Sequence, residues 1–227
     1  MGYILGYIAA DGCVYKRKNR KNSYTLNITS KDKDNLLKMG KNLSPDCSTS
    51  TKYNSQKMPC SQIQISSREM CEDLMKLGIF PRKTSHLNPI KVPEEYFPDF
   101  VRGFFDGDGS VYVYEVNKTP QVKASFVSAS FTFFVDFNRR LCKALNIPSK
   151  IIHQENPQEG KLIRYSICFY VDDCGKLAEL MYGKNPFLYL PRKRRIFEKW
   201  KLIKRRNYTK QNYPSKIGWQ LNQKVFI

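Results

Sequence analysis

Acidic residues are scarce in this chain. Only 20 Asp and Glu stand against 39 Lys and Arg over 227 residues, for a net charge of +19. A surplus of that size suits a polyanionic partner, either nucleic acid or an acidic membrane. Long apolar runs are missing, so nothing has the length of a membrane span, and the membrane class is set aside. There is no signal peptide, and Met1-Gly2 is followed by Gly6 where a myristoylation signal has Ser or Thr. Asn27-Ile28-Thr29 and Asn207-Tyr208-Thr209 fit a glycosylation pattern that means little without secretion. Histidine is nearly absent: His86 and His153 have no partner at ligand spacing, which argues against a His-metal centre and His-based proton transfer. The seven cysteines, Cys13, Cys47, Cys60, Cys71, Cys142, Cys168 and Cys174, contain no Cys-x-x-Cys pair. They read as reduced packing residues of an intracellular protein, in a prokaryotic cytoplasm or an organelle.

What the chain does have is a repeated segment. Residues 4 to 12 read Ile-Leu-Gly-Tyr-Ile-Ala-Ala-Asp-Gly, and residues 101 to 109 read Val-Arg-Gly-Phe-Phe-Asp-Gly-Asp-Gly. Each is an apolar, helix-length run with an internal glycine (Gly6, Gly103) and a closing acid (Asp11, Asp108), set 97 residues apart. A glycine inside such a helix costs roughly 1 kcal/mol relative to Ala, and is worth having where another backbone comes close. Gly12 and Gly109 suit left-handed helix stops. Asp11 and Asp108 then sit at helix C-termini, where the helix dipole disfavours an anion. A carboxylate at the wrong end of a helix, twice, calls for a compensating cation. If the helices pack side by side, both acids emerge at one end of the seam, and paired oxygen ligands suit Mg²⁺. The bland reading makes each Asp-Gly a polar turn; two copies in matched context, each followed by a strand-like run, count against it.

Both segments resemble the LAGLIDADG motif of homing endonucleases and intron maturases. Phe100 to Val111 is a close match; the first copy matches at Gly6, Asp11 and Gly12 and departs at Ala9, where an acid is usual. The likeness runs through residues 1 to about 200. The order of elements is helix, two strands, helix, two strands, helix, given twice. Strand-like runs cover Ser23 to Ser30 in the first half, and 110–116, 121–128, 150–155 and 161–170 in the second. Helices cover Arg68 to Leu77, 130–146 and 173–182. Periodicity alone supports a duplicated α+β chain. The resemblance implies two pseudo-symmetric αββαββα repeats with antiparallel saddle-shaped sheets, packed through the motif helices. The expected division is residues 1–95, 96–204 and a tail, 205–227. A last helix is expected from Pro191 to about Lys204, with Ile196, Phe197, Trp200 and Ile203 as its packing stripe.

The strands alternate. In Tyr24 to Thr29, Thr25, Asn27 and Thr29 oppose Leu26 and Ile28; Gln62 and Gln64 oppose Ile63 and Ile65; Arg164 and Ser166 oppose Tyr165 and Ile167. With Tyr112, Tyr114 and Lys123, these form the candidate faces that read base edges in a major groove. Lys16, Arg17, Lys18, Arg20 and Lys21, in a hairpin-like loop, are candidate phosphate contacts.

The resemblance further implies metal-dependent hydrolysis of two phosphodiester bonds, one per strand. Asp11 and Asp108 would hold Mg²⁺, or another divalent ion such as Mn²⁺, with Ca²⁺ able to bind without supporting cleavage. The carbonyls of Ala10 and Gly107 would be further ligands. Basic residues around each site would be Lys31, Arg68, Lys83 and Lys193. Lys31 aligns with Ser130, and Arg68 with a position near Asp172, so the two strands are expected to be cut at unequal rates. One chain supplies both acids, which implies a monomer acting on an asymmetric double-stranded target, promoting mobility of its host intron. The alternatives are a maturase that binds intron RNA and a DNA-binding protein without chemistry. No intein splicing blocks flank the repeats, so an intron-encoded or free-standing protein is expected, with a natural start upstream of Met1.

Overall fold

The computed structural model describes residues 1–17, 23–54, 56–81, 83–155 and 162–212, with side chains described to residue 203. Lys18, Arg20, Lys21 and most of the expected tail lie outside these residues. Two helices form the spine: α1 (Gly2–Asp11) and α4 (Phe97–Asp108). Both are largely buried; α1 is apolar up to its closing Asp11, α4 carries Asp99, Arg102, Asp106 and Asp108 among its aromatic residues, and Pro98 suits its first turn. They pack directly on one another along their length.

The internal glycines make that contact possible. A Cβ on Gly6 would overlap the Phe100 carbonyl, and one on Gly103 would overlap the Tyr3 carbonyl. Gly12 and Gly109 differ from expectation. Neither is left-handed; their backbones are extended, with φ of −75° and −83°, and each leads straight into a strand. They are glycines for space, since a Cβ would press on Ile8 at position 12 and on the Phe105 ring at position 109.

From the ends of the spine helices the two halves repeat one plan. The first runs β1 (Gly12–Lys16), β2 (Tyr24–Ser30), α2 (Lys33–Leu43), β3 (Ser50–Tyr53), β4 (Pro59–Ile65) and α3 (Arg68–Lys76). The second runs β5 (Ser110–Val116), β6 (Thr119–Ser128), α5 (Phe131–Leu145), β7 (His153–Glu155), β8 (Arg164–Tyr170) and α6 (Val171–Tyr182), followed by α7 (Pro191–Asn212). The sheets are antiparallel and ordered β1-β2-β4-β3 and β5-β6-β8-β7, the same topology twice. Ser67 caps α3 by accepting from the Met70 amide. Asn117 and Lys118, both at positive φ, turn the chain between β5 and β6. The last helix continues past Lys204 to Asn212, beyond the reach of its apolar stripe.

One face of each sheet is covered by helices. Val14, Leu26, Ile28 and Ile63 fill the first core; Phe104, Phe126, Phe137 and Phe169 fill the second. The second core is aromatic, with Phe104 meeting Phe137 edge-on at 5.0 Å between ring centres. The opposite faces carry exposed side chains, Gln64 in the first sheet and Tyr112 and Tyr170 in the second, and β1 and β5 begin where α1 and α4 end. Cys71, Cys142 and Cys174 are buried, Cys13 is exposed, and all seven cysteines are free thiols.

Candidate functional site

The C-terminal ends of α1 and α4 lie against each other. A Cβ added to Gly107 would meet Ala10 and would stand 3.5 Å from Asp11 Oδ2. The Asp11 carboxylate therefore sits beside the residue that precedes Asp108. Both carboxylates reach solvent at the mouth of the seam, but protein packed behind them limits their hydration. That burial raises both pKa values above the ordinary 3.8. Asp108 is pushed up to about 6, with the charge of Asp11 adding to the effect and Lys83 and Lys193 opposing it. Asp11 is raised by burial, again against the two lysines.

Those lysines occupy the helix ends. Lys83 lies in a 3-10 turn, Lys83–Ser85, and its Nζ donates to the Ala9 carbonyl at 2.6 Å and the Ala10 carbonyl at 2.9 Å. Lys193 stands in the first turn of α7, and its Nζ donates to the carbonyls of Phe105 at 2.6 Å, Asp106 at 2.8 Å and Gly109 at 2.6 Å. Both are buried, at 7% and 5% exposure; Lys83 satisfies the Ala9 and Ala10 carbonyls and Lys193 the Asp106 carbonyl, which the helix C-termini leave unpaired. Each is a built-in cation at the negative end of a helix dipole, which offsets the awkward placement of the acids. Burial lowers the pKa of both: Lys193 falls to about 8, held from falling further by Asp106, Asp11 and Asp108, and Lys83 is likewise supported by Asp108 and Asp11. One Ala10 lone pair is thus already engaged.

Lys31 and Arg68 stand apart from this group. Lys31 is exposed in the turn between β2 and α2. Arg68 opens α3, exposed and paired with Glu72 at 2.6 Å. Neither figures among the charges acting on Asp11 or Asp108. The strand register also corrects the alignment of the halves. Ser30 and Ser128 are equivalents, each accepting from the amide two residues on, at Asp32 and Ser130. Lys31 therefore corresponds to Ala129, and Ser130 corresponds to Asp32. A one-residue slip was invisible because both turns are short and polar. Arg68 does correspond to Asp172, since Leu26 pairs with Ile65 as Ala124 pairs with Phe169.

The candidate base-reading residues are divided between exposed and buried positions on the two sheets. In the first sheet Asn27 lies between Cys13 and Gln64, Thr29 beside Gln62, and Thr25 beside Tyr15. Gln64 donates to the Tyr15 hydroxyl at 3.1 Å. Thr25 is fully buried and shares a hydrogen bond with Ser66, and Gln62 is also buried, so neither side chain is free to meet a base edge. In the second sheet Lys123 lies between Tyr112 and Tyr170, its Nζ 5.6 Å from the centre of the Tyr170 ring. Tyr114 lies beside Gln121 and packs on Tyr112. Arg164 pairs loosely with Glu155, at 3.8 Å, and Ser166 is buried. Lys16 is exposed at the end of β1, and the Arg17 amide donates to Ser23 at 2.9 Å, closing the base of the loop. Gln121 and Tyr170 were missed, although they share the two-residue period of Lys123 and Ser166.

Arg192 and Asp106 were also missed. Arg192 reaches across the seam to Asp32 at 2.9 Å, tying the start of α7 to the start of α2. Asp106 is buried within the spine, and its pKa is raised to about 6 by that burial, against the pull of Tyr3, Lys193, the Leu190 amide and Arg102. No sequence signal marks a contact between residues 84 or more positions apart.

Among solved structures, the LAGLIDADG homing endonuclease I-GzeII in complex with its DNA target aligns over 94% of this chain and 92% of its own, with a TM-score of 0.59 and 12% identity. The structure of I-DmoI with DNA and Ca aligns over 85% of this chain and 93% of its own, with a TM-score of 0.56 and 14% identity. An uncharacterised protein of Methanocaldococcus jannaschii is 28% identical over 187 residues, which is 78% of this chain but 60% of that relative's length. A family model described as a LAGLIDADG-like domain matches residues 1–88 and again 99–181. With both motif helices, both sheets and both repeats accounted for, this chain belongs to the LAGLIDADG family.

Proposed function

We propose that this chain is a site-specific endonuclease that cuts both strands of a long, asymmetric DNA target by metal-dependent hydrolysis, and that it promotes mobility of its host intron as a monomer. The observation that carries the reading is the pair Asp11 and Asp108, brought to adjoining helix ends with a buried lysine behind each. A four-stranded sheet begins beside each acid, and the net charge of +19 suits a phosphate backbone. Among the described residues no helix is long and apolar enough to cross a membrane.

The donor set fits Mg²⁺ or Mn²⁺. Among the described residues no group of three or more His, Cys, Asp or Glu gathers anywhere. A cation here would rest on the two carboxylates, with Ala10 and Gly107 carbonyls beside them, and would take its other ligands from water and phosphate. Mg²⁺ is commonly held in that way. When bound, such an ion supplies positive charge to the phosphate and lowers the pKa of water. Asp11 and Asp108 orient the site and must be ionised to do so. Lys83 and Lys193 hold the helix ends rigid and keep positive charge beneath the acids. The differing faces of the two sheets, amide-rich in one and Tyr-Lys in the other, suit an asymmetric target.

The deciding experiment is cleavage of a large randomised duplex library in Mg²⁺, with the cut ends sequenced and Asp11→Asn run in parallel. One long consensus, cut on both strands by the wild type and not by the variant, is the expected result. Cutting by both proteins alike would reject the assignment. Ca²⁺ in place of Mg²⁺ is expected to support binding without cutting.

The RNA reading has one observation in its favour. Tyr112 and Tyr170, each 46% exposed, flank Lys123 on an open sheet, an arrangement on which unpaired bases can stack. Intron-dependent splicing by protein that cuts no DNA would favour it.

The pKa shifts give a pH profile. Asp108 titrates near 6 and loses its charge below that, so kcat/KM should fall as pH drops from 7 to 5. Lys193 titrates near 8, and above that its ammonium is lost from the α4 end, so kcat/KM should fall again. A profile flat across both limbs would remove these two groups from the rate.

A further inference from the structure

Asp106 has no counterpart in the other half. Its equivalent in α1 is Ala9, so the fold does not require an acid at this place in the spine. A buried carboxyl is costly unless its bonds accomplish something. Its Oδ2 accepts from the Tyr3 hydroxyl at 2.8 Å and from the Leu190 amide at 2.7 Å, while Oδ1 has no partner. Tyr3 is itself held by Asn35 at 2.8 Å. Their equivalents, Phe100 and Phe133, have no polar group at all, so the whole chain of bonds exists on one side only.

Leu190 immediately precedes α7. Its carbonyl accepts from the amides of Lys193 at 3.1 Å and Arg194 at 3.2 Å. Fixing the Leu190 amide therefore fixes the first turn of α7, and that turn aims Lys193 back onto the end of α4. The preceding stretch is pinned by Arg102, which donates to the carbonyls of Leu188 at 2.8 Å and Met181 at 2.9 Å. Arg102 holds the approach to the turn; Asp106 holds the turn itself.

We propose that Asp106 is a positioning residue: through Leu190, and braced by Tyr3 of the opposite half, it keeps Lys193 docked on the helix end that carries Asp108. The docking is a property of the folded chain alone. Its consequence for strand cleavage rests on the endonuclease reading.

The test labels lysines with an amine-acetylating reagent and follows Lys193 and Lys83 by mass spectrometry. Both are buried, so both should react slowly in the wild type. In Asp106→Ala, Lys193 should react roughly tenfold faster or more, as expected for loss of a charge-assisted bond, with Lys83 unchanged. Asp106→Asn keeps an acceptor oxygen in place and should restore slow labelling. Should Asp106→Ala fail to fold, Tyr3→Phe, which copies Phe100, should still speed Lys193 severalfold. Lys193 labelling unchanged in every variant that folds, or Lys83 rising in step with it, would overturn the proposal. A second arm measures nicking of each strand of the duplex target. Asp106→Ala should reproduce the strand bias of Lys193→Met, and the double variant should be no slower on that strand than Lys193→Met. Additive slowing would mean Asp106 acts elsewhere. If the wild type cuts no DNA, the endonuclease reading fails while the labelling still decides the docking.

Discussion

Replacing Asp108 with Asn is expected to stop double-strand cutting, lowering the rate roughly 10³-fold, while target binding in Ca²⁺ stays close to wild type. The magnitude follows from several kcal/mol of charge stabilisation lost with the metal. On the endonuclease reading binding survives because the candidate DNA contacts, such as Gln64, Tyr112 and Lys123, lie on the strands and not at the helix ends themselves. The same variant makes a second, less obvious prediction with the opposite sign. Asp108 is raised from 3.8 to about 6 in the folded chain. Between those values the native state holds more protons than the unfolded state, so stability declines as pH rises through that window. At pH 7.5 in EDTA the wild type carries that penalty in full, from burial and from Asp11. Asp108→Asn removes it and should unfold at a higher temperature than wild type. Adding Mg²⁺ or Ca²⁺ should then stabilise the wild type and leave the variant nearly unmoved. A variant less stable than wild type without metal would show that the acid is a structural residue. Asp11→Asn should behave alike.

The parts of this arrangement that could be read from the chain are those with a local period. The repeated Gly-to-Asp spacing located the spine and its acids, because a helix end and its glycine are close in sequence. Strand alternation alone sets Asn27, Gln64 and Arg164 on the faces opposite the apolar residues, without any knowledge of topology. It could not say that Thr25, Gln62 and Ser166 would be covered by neighbours, because burial on a sheet depends on what the adjacent strand carries. Gly12 and Gly109 were given the wrong reason: the helix-stop pattern is the same for a left-handed cap and for a tight exit into a strand. The alignment of Lys31 with Ser130 failed by one residue because nothing local fixes register between repeats. The brace from Tyr3 to Asp106 to Leu190 was illegible for a different reason. It joins three segments remote in sequence, and an acid two places before the closing Asp108 looks, in the chain alone, like part of the motif.

Gly103→Ala is expected to be among the most damaging single changes to the fold, and the reason can be separated from helix propensity by a paired control. Propensity alone favours the change by about 1 kcal/mol. Against it, the new methyl would overlap the Tyr3 carbonyl, and beyond it lie the Tyr3 carbonyl carbon at 2.8 Å and the Tyr7 amide at 2.9 Å. These are backbone atoms of a packed helix, so no side chain can rotate away and the two helices must part. Even a small gap along the seam forfeits a quarter to a half of each contact there. The seam includes Tyr3, Tyr7, Phe100 and Phe104, all nearly fully buried. A net loss of about 3 kcal/mol is expected, or a fall in Tm of roughly 6–12 °C for a chain of this size. Protein that remains folded should also cut poorly, because the same seam sets Asp11 beside Gly107. Gly175→Ala, in the interior of α6, is the control. A methyl there meets nothing closer than the Trp200 ring at 4.0 Å, so propensity acts unopposed. It should raise stability by up to about 1 kcal/mol. Equal effects of the two substitutions on Tm would mean that the helices of the spine do not approach as closely as their glycines permit.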